Sequence, residues 1–81
     1  MPDTLTEAEI DRVLDELIAY QRKRVIDHAR RIHPRATDDD VQNPIDIPAL
    51  AQSPEWNYED GLLAGYRSAQ AALRARLRRG A

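Results

Sequence analysis

The chain contains no cysteine and no phenylalanine, and only four of its 81 residues are aromatic. Without cysteine it can form neither a disulfide framework nor a thiolate metal site. Its longest apolar runs span a few residues, whereas a membrane-spanning helix needs about 20. The first residues are acidic and include no apolar segment, so they do not resemble a signal peptide. We therefore expect a cytoplasmic protein with no membrane association.

The bulk composition is typical of a small globular protein. Hydrophobic residues make up 42% of the chain and charged residues 32%, which is too apolar for disorder and too charged for a membrane protein. A chain of this length forms one domain at most, so we expect a single helical domain over residues 1–81. Eleven arginines against one lysine, with abundant alanine, indicate a GC-rich bacterial genome.

The charges alternate in sign along the chain. Residues 1–16 carry a net charge of −5, residues 22–35 carry +5, residues 38–60 carry −7 and residues 67–79 carry +5. In an antiparallel helical hairpin, the acidic start of the first helix lies beside the basic end of the second. The basic end of the first helix then lies beside the acidic middle segment. The pattern predicts a hairpin that neutralises its own charge.

The first predicted helix covers about residues 7–33. Thr6 and Glu9 have the spacing of a capping box, in which each side chain accepts a hydrogen bond from the other residue's backbone N–H. Pro34 ends the helix, because the residue before a proline disfavours helical geometry. Its apolar face contains Ile10, Val13, Leu14, Leu17, Ile18, Val25, Ala29 and Ile32.

The second long helix is predicted over about residues 58–79. Asn57 is a favourable N-cap, and the acids Glu59 and Asp60 suit the first turn of a helix. Gly80 marks the end of the helix. Its apolar stripe contains Leu62, Tyr66, Ala69, Leu73 and Leu77.

Residues 34–57 are predicted to form an ordered connector, since structureless loops of that length are rare in small domains. Thr37 followed by three aspartates is typical of a capped helix start, and Pro48 suits the first position of a further helical turn that Ser53-Pro54 ends. The predicted fold is all-α, an antiparallel hairpin of two long helices with a short-helix connector. Side chains that can hold the connector in place are Val41, Ile45, Ile47, Leu50 and Trp56.

The apolar face of the first helix is wider than one helix–helix seam can bury. It extends from Val13 and Tyr20 on one edge to Ile18 and Ala29 on the other. Pairing two hairpins into a dimeric four-helix bundle would bury the surplus. The alternative is a monomer whose connector covers it. The expected seam contains Leu14, Leu17, Gln21, Val25, His28, Leu62, Tyr66 and Leu73.

Two groups of polar and aromatic residues are candidates for a functional surface. Gln21 and His28 lie one heptad apart on the apolar face, where they form either a buried ligand-contacting pair with Tyr66 or a satisfied pair that fixes the register. The second group is a cluster of aromatic and acidic residues. It forms either a pocket or partner surface, or an anchor in which Trp56 holds the connector on the hairpin. Its members are Trp56, Tyr58, Asp60 and Tyr66.

Gly61 and Gly65 lie four residues apart inside the second helix, where each glycine costs about 1 kcal/mol relative to alanine. We expect a backbone or a large ring, Trp56 or Tyr20, to approach this helix closely. A membrane-dimer motif is disfavoured, because charged residues flank the glycines.

The sequence predicts no metal, cofactor or catalytic site. His28 and His33 are five residues apart, which places them about 140° apart around a helix. A calcium-binding loop that begins at Asp38 would need glycine at its sixth position and glutamate at its twelfth. Asn43 and Ala49 occupy those positions.

The leading functional hypothesis is a non-catalytic protein–protein interaction or regulatory module that acts as a homodimer. The alternative is a nucleic-acid-associated accessory protein that uses an arginine stripe on the second helix, formed by Arg67, Arg74 and Arg78. Nucleic acid is disfavoured as a partner by the net charge of −2. A third hypothesis is a small-ligand or enzyme role around His28, Gln21 and Tyr66.

Overall fold

The structure, a computed structural model, describes residues 4–80, which form helices joined by short turns and contain no strand. The helices are α1 (Glu7–Ile32), α2 (Asp38–Gln42), α3 (Pro48–Ala51) and α4 (Pro54–Gly80), with a single 3-10 turn at Pro44–Asp46. The all-α prediction is confirmed. Residues 1–3, where the chain was judged not to resemble a signal peptide, lie outside the described residues.

Helix α1 begins where the sequence predicts. The Thr6 hydroxyl accepts a hydrogen bond from the Glu9 backbone N–H at 3.1 Å, and the Glu9 carboxylate accepts one from the Thr6 N–H at 3.3 Å. The helix ends at Ile32, and the backbone N–H of the C-cap residue His33 donates to the Ala29 carbonyl at 2.8 Å. A second capping box begins α2, where Thr37 and Asp40 exchange the same two bonds.

Helix α4 begins at Pro54, four residues before the predicted start, so the prediction of Asn57 as its N-cap is wrong. The Ser53 hydroxyl accepts a hydrogen bond from the Trp56 N–H at 3.2 Å, and Pro54 follows as the first helical residue. Proline is favoured at that position because the first helical N–H has no partner within the helix. Asn57 lies in the first turn, where its side chain donates to the Ala51 and Ser53 carbonyls.

Helices α1 and α4 pack against each other in antiparallel orientation. The Gln21 side chain hydrogen-bonds Glu59 at one end of the pair, and the Gln70 side chain donates to the Asp15 carboxylate at 2.7 Å further along. At the other end Arg74 binds Asp11 through two hydrogen bonds of 2.8 and 2.9 Å. The acidic start of α1 therefore lies beside the basic end of α4, as the charge pattern predicts.

The hydrophobic core lies where the connector folds back on the hairpin. Its buried members come from α1, the connector and α4, and Ile18, Val41 and Ile47 pack around them. Trp56 and Leu50 are the largest fully buried side chains. The connector thus covers the edge of α1 that carries Ile18 and Ala29. The buried core residues are Val25, Ala29, Ala36, Leu50, Trp56 and Leu63.

Gly61 and Gly65 are exposed, and a Cβ atom added at either position would meet nothing within 4 Å. Among the described residues, neither Trp56 nor Tyr20 makes the expected close approach to these glycines. Since these glycines have no steric role there, their helix-weakening effect is uncompensated.

Replacing Gly61 or Gly65 with alanine is expected to raise the free energy of unfolding by about 0.5–1 kcal/mol each, because alanine loses less backbone entropy in a helix. Urea unfolding followed by circular dichroism at a fixed protein concentration measures this. Ala64→Gly, between them on the same exposed surface, should have the opposite effect. Destabilisation by either alanine would mean that another chain packs against the glycines.

Candidate functional site

The hairpin has two sides, and the connector covers only one of them. At 100° per residue, Val13, Leu17 and Tyr20 lie on the edge of α1 that faces away from Ile18 and Ala29. Their exposed fractions are 55% for Val13, 37% for Leu17 and 60% for Tyr20. This edge of α1 is therefore apolar and uncovered.

Helix α4 extends the same apolar surface. Because α4 runs antiparallel to α1, helix geometry places its predicted apolar stripe on the uncovered side of the hairpin. Leu73 is 40% exposed, Ala69 is exposed, and Leu62 and Tyr66 are half-buried. We call this surface the open face, and it consists of Val13, Leu17, Tyr20, Leu62, Tyr66, Ala69 and Leu73.

A buried carboxylate with three polar neighbours lies at one end of the open face. Glu59 is 5% exposed, and its carboxylate accepts hydrogen bonds from the Gln21 side chain at 2.6 Å and from Arg24 Nη2 at 2.7 Å. The Gln21 side chain also donates to the Glu59 backbone carbonyl at 2.8 Å. His28 Nε2 lies 3.7 Å from the same carboxylate. We call Gln21, Arg24, His28 and Glu59 the polar cluster.

The polar cluster holds Glu59 as an anion. The hydrogen bond from Arg24 is the largest cause, followed by that from Gln21, and together they lower the pKa of Glu59 to about 2 although burial opposes the shift. The same contact raises the pKa of the Arg24 guanidinium above its already high value. A carboxylate with so low a pKa is a poor proton acceptor near neutral pH.

The arginine of the polar cluster also reaches the open face. The Arg24 guanidinium lies 6.0 Å from the centre of the Tyr20 ring, within the range of a cation–π contact. The side chain of Arg24 is 42% exposed, whereas that of Glu59 is 7% exposed. The ion pair therefore has one buried partner and one partner that borders solvent beside an exposed aromatic ring.

Of the expected pair, Gln21 is buried and His28 half-buried. Gln21 makes both of its hydrogen bonds to Glu59, and His28 lies beside the same carboxylate. The arrangement fits a satisfied polar pair that fixes the register of α1 against α4. No hydrogen bond joins Gln21 or His28 to Tyr66 within the described part of the chain.

The predicted cluster of aromatic and acidic residues is divided among three places. Trp56 is fully buried, and it anchors α4 in the core rather than facing a partner. Tyr58 is 65% exposed, and helix geometry places it and Tyr66 on the uncovered side of the hairpin. Asp60 lies on the opposite side, where it lines a cleft beside α2.

The residues of the expected seam differ in how far one chain buries them. Gln21 and Val25 are buried, and Leu14, His28, Leu62 and Tyr66 are half-buried. Leu17 and Leu73 are exposed. The exposed members belong to the open face, so a seam between two chains stays a prediction.

The arginine stripe of α4 is partly occupied by contacts within the chain. Arg74 binds both Asp11 and Asp15, and its hydrogen bond lowers the pKa of Asp11. Arg67 lines the cleft beside α2 together with Asp60. Arg74 is thus paired with carboxylates, and Arg67 shares its cleft with an acidic side chain, so the stripe is not an unbroken basic surface.

Neither the burial of Glu59 against α1 nor its pairing with Arg24 was predicted from the sequence, where Glu59 was noted only as an acid of the first helical turn beside the aromatic cluster. Placing the start of α4 at residue 58 left Trp56 outside the helix and hid the spacing by seven of the buried residues Trp56, Leu63 and Gln70. Glu59 lies on the same face, one turn after Trp56. A helix start at Ser53-Pro54 would have placed this carboxylate against α1.

Comparison with protein-family models, with curated proteins and with solved structures finds no match for the chain. No helix among residues 4–80 has the length and apolarity to cross a membrane. Over the same residues, no group of three or more His, Asp or Glu side chains is arranged to hold a metal ion. The open face and the polar cluster are therefore the features of the chain that bear on its function.

Proposed function

We propose that the protein is a non-catalytic protein–protein interaction module that acts as a homodimer. The open faces of two chains pack together, so that two hairpins form a four-helix bundle. The observation that carries this proposal is the open face itself, which combines side chains of both long helices on the side that the connector leaves uncovered. Bundles of this kind bury such faces against each other.

The surface area of one chain supports association. The accessible surface is 6227 Å², whereas a folded monomer of 9.2 kDa is expected to expose about 4,900 Å². The difference is on the order of 1,000 Å². A standard interface buries about 800 Å² per partner, so pairing through one face is enough to remove most of the excess.

The shape of the chain supports the same proposal. The radius of gyration is 15.8 Å and the principal extents are 47 × 27 × 19 Å, whereas a compact domain of this length has a radius of gyration of about 12 Å. The smallest extent, 19 Å, is about the thickness of two packed helices. The chain is thus more extended than a compact domain of its length, as expected for one half of a helical bundle.

A further protein partner is proposed to bind at the end of the bundle that carries Tyr58. A shallow hollow of about 370 Å³ lies there, lined by His28, Pro54, Glu55, Tyr58 and Glu59. Tyr58 offers a rigid ring with a polar tip, the kind of side chain that is enriched at protein interfaces. This hollow continues the open face toward the start of α4.

Leu17→Arg is expected to weaken dimerisation at least about tenfold, because it places a charge in the centre of the apolar contact. Sedimentation equilibrium at micromolar concentration measures the mass. The matched control is Ile45→Arg, since Ile45 is 83% exposed on the connector and outside the open face. The control should retain the mass of the unsubstituted chain. Far-UV circular dichroism should show that both variants keep their helices.

Two results would contradict the proposal. One is a mass of a single chain, 9.2 kDa, for the unsubstituted protein throughout the micromolar range. The other is a dimer that Ile45→Arg dissociates and Leu17→Arg does not, which would place the interface on the connector side.

The alternative function as a nucleic-acid accessory protein has less support, because Arg74 is engaged by Asp11 and Asp15. It requires retention of the protein on DNA or RNA at low ionic strength, with steep weakening as salt is added. It further requires that retention is lost in the Arg74→Ala, Arg78→Ala double variant.

A further inference from the structure

A cleft of about 240 Å³ lies between α2 and the hairpin, on the side opposite the open face. Its floor contains Val25 and Leu63, which are 2% and 6% exposed. Arg22 from α1 and Arg67 from α4 line it, as do Asp38 from α2 and Asp60 from α4. An apolar floor is thus bordered by two cationic and two anionic side chains.

These four charged side chains do not neutralise one another by direct contact. Among residues 4–80, the ion pairs within 4.0 Å involve Lys23, Arg24, His28 and Arg74 as the cations, and neither Arg22 nor Arg67. The described hydrogen bonds likewise leave the carboxylates of Asp38 and Asp60 without a donor.

Asp60 is the most enclosed of the four. It is half-buried, and burial raises the pKa of its carboxyl group while the charge of Arg67 opposes this shift. A partly desolvated carboxylate of this kind gains free energy when a cationic donor reaches it. The cleft therefore offers separate places for a cation and an anion above an apolar surface.

We propose that this cleft binds a small zwitterion with an aliphatic side chain, of the class of the free aliphatic α-amino acids. Arg22 and Arg67 bind the carboxylate of the ligand, and Asp60 binds its ammonium group. The aliphatic part lies against Val41 and Pro44, which line the cleft and are half-buried. With a volume of about 240 Å³, the cleft has room for a molecule of the size of valine or leucine.

The charge pattern of the lining favours a ligand with both charges over one with a single charge. A carboxylate without an ammonium group would leave Asp60 unpaired and place a second anion near it, and an amine alone would meet two arginines. Only a molecule that carries both charges satisfies both sets of side chains. This site is separate from the open face, so it does not depend on the dimer.

The proposal is tested by titrating the ¹⁵N-labelled full chain with L-leucine at millimolar concentration and following the backbone amide signals. The expected shifts are confined to residues that line the cleft. Isocaproate, which lacks the ammonium group, and isoamylamine, which lacks the carboxylate, should each bind at least about tenfold more weakly, since each loses a charge-assisted hydrogen bond.

Arg67→Gln should weaken the binding of leucine about tenfold by the same reasoning. The matched control is Arg12→Gln, on the exposed opposite face of α1, which should bind as the unsubstituted chain does. The absence of shifts at cleft residues would overturn the proposal. Binding of leucine by Arg67→Gln that equals binding by the unsubstituted chain would overturn it as well. So would binding of isocaproate or isoamylamine that is as tight as the binding of leucine.

Discussion

Trp56→Ala is expected to lower the free energy of unfolding by about 3–5 kcal/mol, the range found when a large aromatic side chain is removed from a core. Trp56 is fully buried and belongs to the core that joins α1, the connector and α4. Its removal would leave a cavity at the one place where all three segments meet. The remaining contacts of this small core cannot close it.

Urea unfolding at one fixed protein concentration measures this loss. The matched control is Tyr58→Ala, since Tyr58 is an aromatic residue of the same helix turn with 65% exposure, and it should cost less than about 1 kcal/mol. Equal losses for the two variants would contradict the anchoring role of Trp56. The comparison distinguishes the buried Trp56 from the exposed Tyr58, two aromatic residues that lie close together in the sequence.

Trp56→Phe distinguishes ring packing from hydrogen bonding. The indole N–H of Trp56 is buried and has no hydrogen-bond partner among the described residues. Phenylalanine therefore removes no hydrogen bond and relieves a buried donor, which offsets part of the lost apolar area. We expect a smaller loss than for alanine.

The ends of α1 and α2 could be predicted because their signals are local. In each capping box, two side chains and two backbone N–H groups within four residues satisfy one another, and no distant contact is required. The charge blocks similarly predicted that the acidic start of α1 lies beside the basic end of α4, where the structure pairs Arg74 with Asp11.

The start of α4 could not be predicted with the same certainty, because Ser53-Pro54 is compatible with the end of one helix and with the start of another. The choice depends on Trp56, which must lie inside the helix to reach the core. The residues around Ser53 carry no local signal of that tertiary contact. Because the predicted start of α4 was four residues too late, the prediction did not show that Glu59 faces α1.

The location of Asp60 away from Tyr58 and Tyr66 follows from helix geometry. Residues within one turn point in different directions, so nearness in sequence does not place side chains in one patch. The prediction of a single cluster did not take into account that successive side chains point in different directions around the helix. The structure instead assigns Tyr66 to the open face and Asp60 to the cleft.

The polar cluster also favours a single register of α1 against α4. Sliding α4 by one turn would move Glu59 away from Gln21 and Arg24 and leave a buried carboxylate without donors. That cost is large for a charged group in a small core. The cluster therefore disfavours alternative alignments of two otherwise repetitive helices, as single buried polar residues do in coiled coils.

Glu59→Gln is expected to lower the free energy of unfolding at pH 7 by about 2 kcal/mol, since hydrogen bonds to a charged group contribute roughly 1.5–3 kcal/mol. The amide has nearly the same shape as the carboxylate but lacks its charge, so the bonds from Arg24 and Gln21 are weakened. Arg24 remains partly solvated, with 42% of its side chain exposed, which limits the loss.

The dependence on pH has a defined sign. The pKa of Glu59 is lowered from 4.5 to about 2 in the folded chain, so the folded state favours the anion. The stabilisation is present above pH 4.5 and is lost as the pH falls from there through 2. In the unsubstituted protein the free energy of unfolding should therefore decrease over this range, and Glu59→Gln should remove a large part of the decrease.

The matched control is Asp27→Asn. The hydrogen bond from Lys23 lowers the pKa of Asp27 too, but this pair is exposed, and its loss should cost less than about 1 kcal/mol. Urea unfolding of the three chains at several pH values between 7 and 2 measures both effects. A curve for Glu59→Gln that runs parallel to that of the unsubstituted protein below pH 4.5 would show that the anion of Glu59 does not stabilise the fold. Its pairing with Arg24 would then contribute nothing to holding α1 against α4.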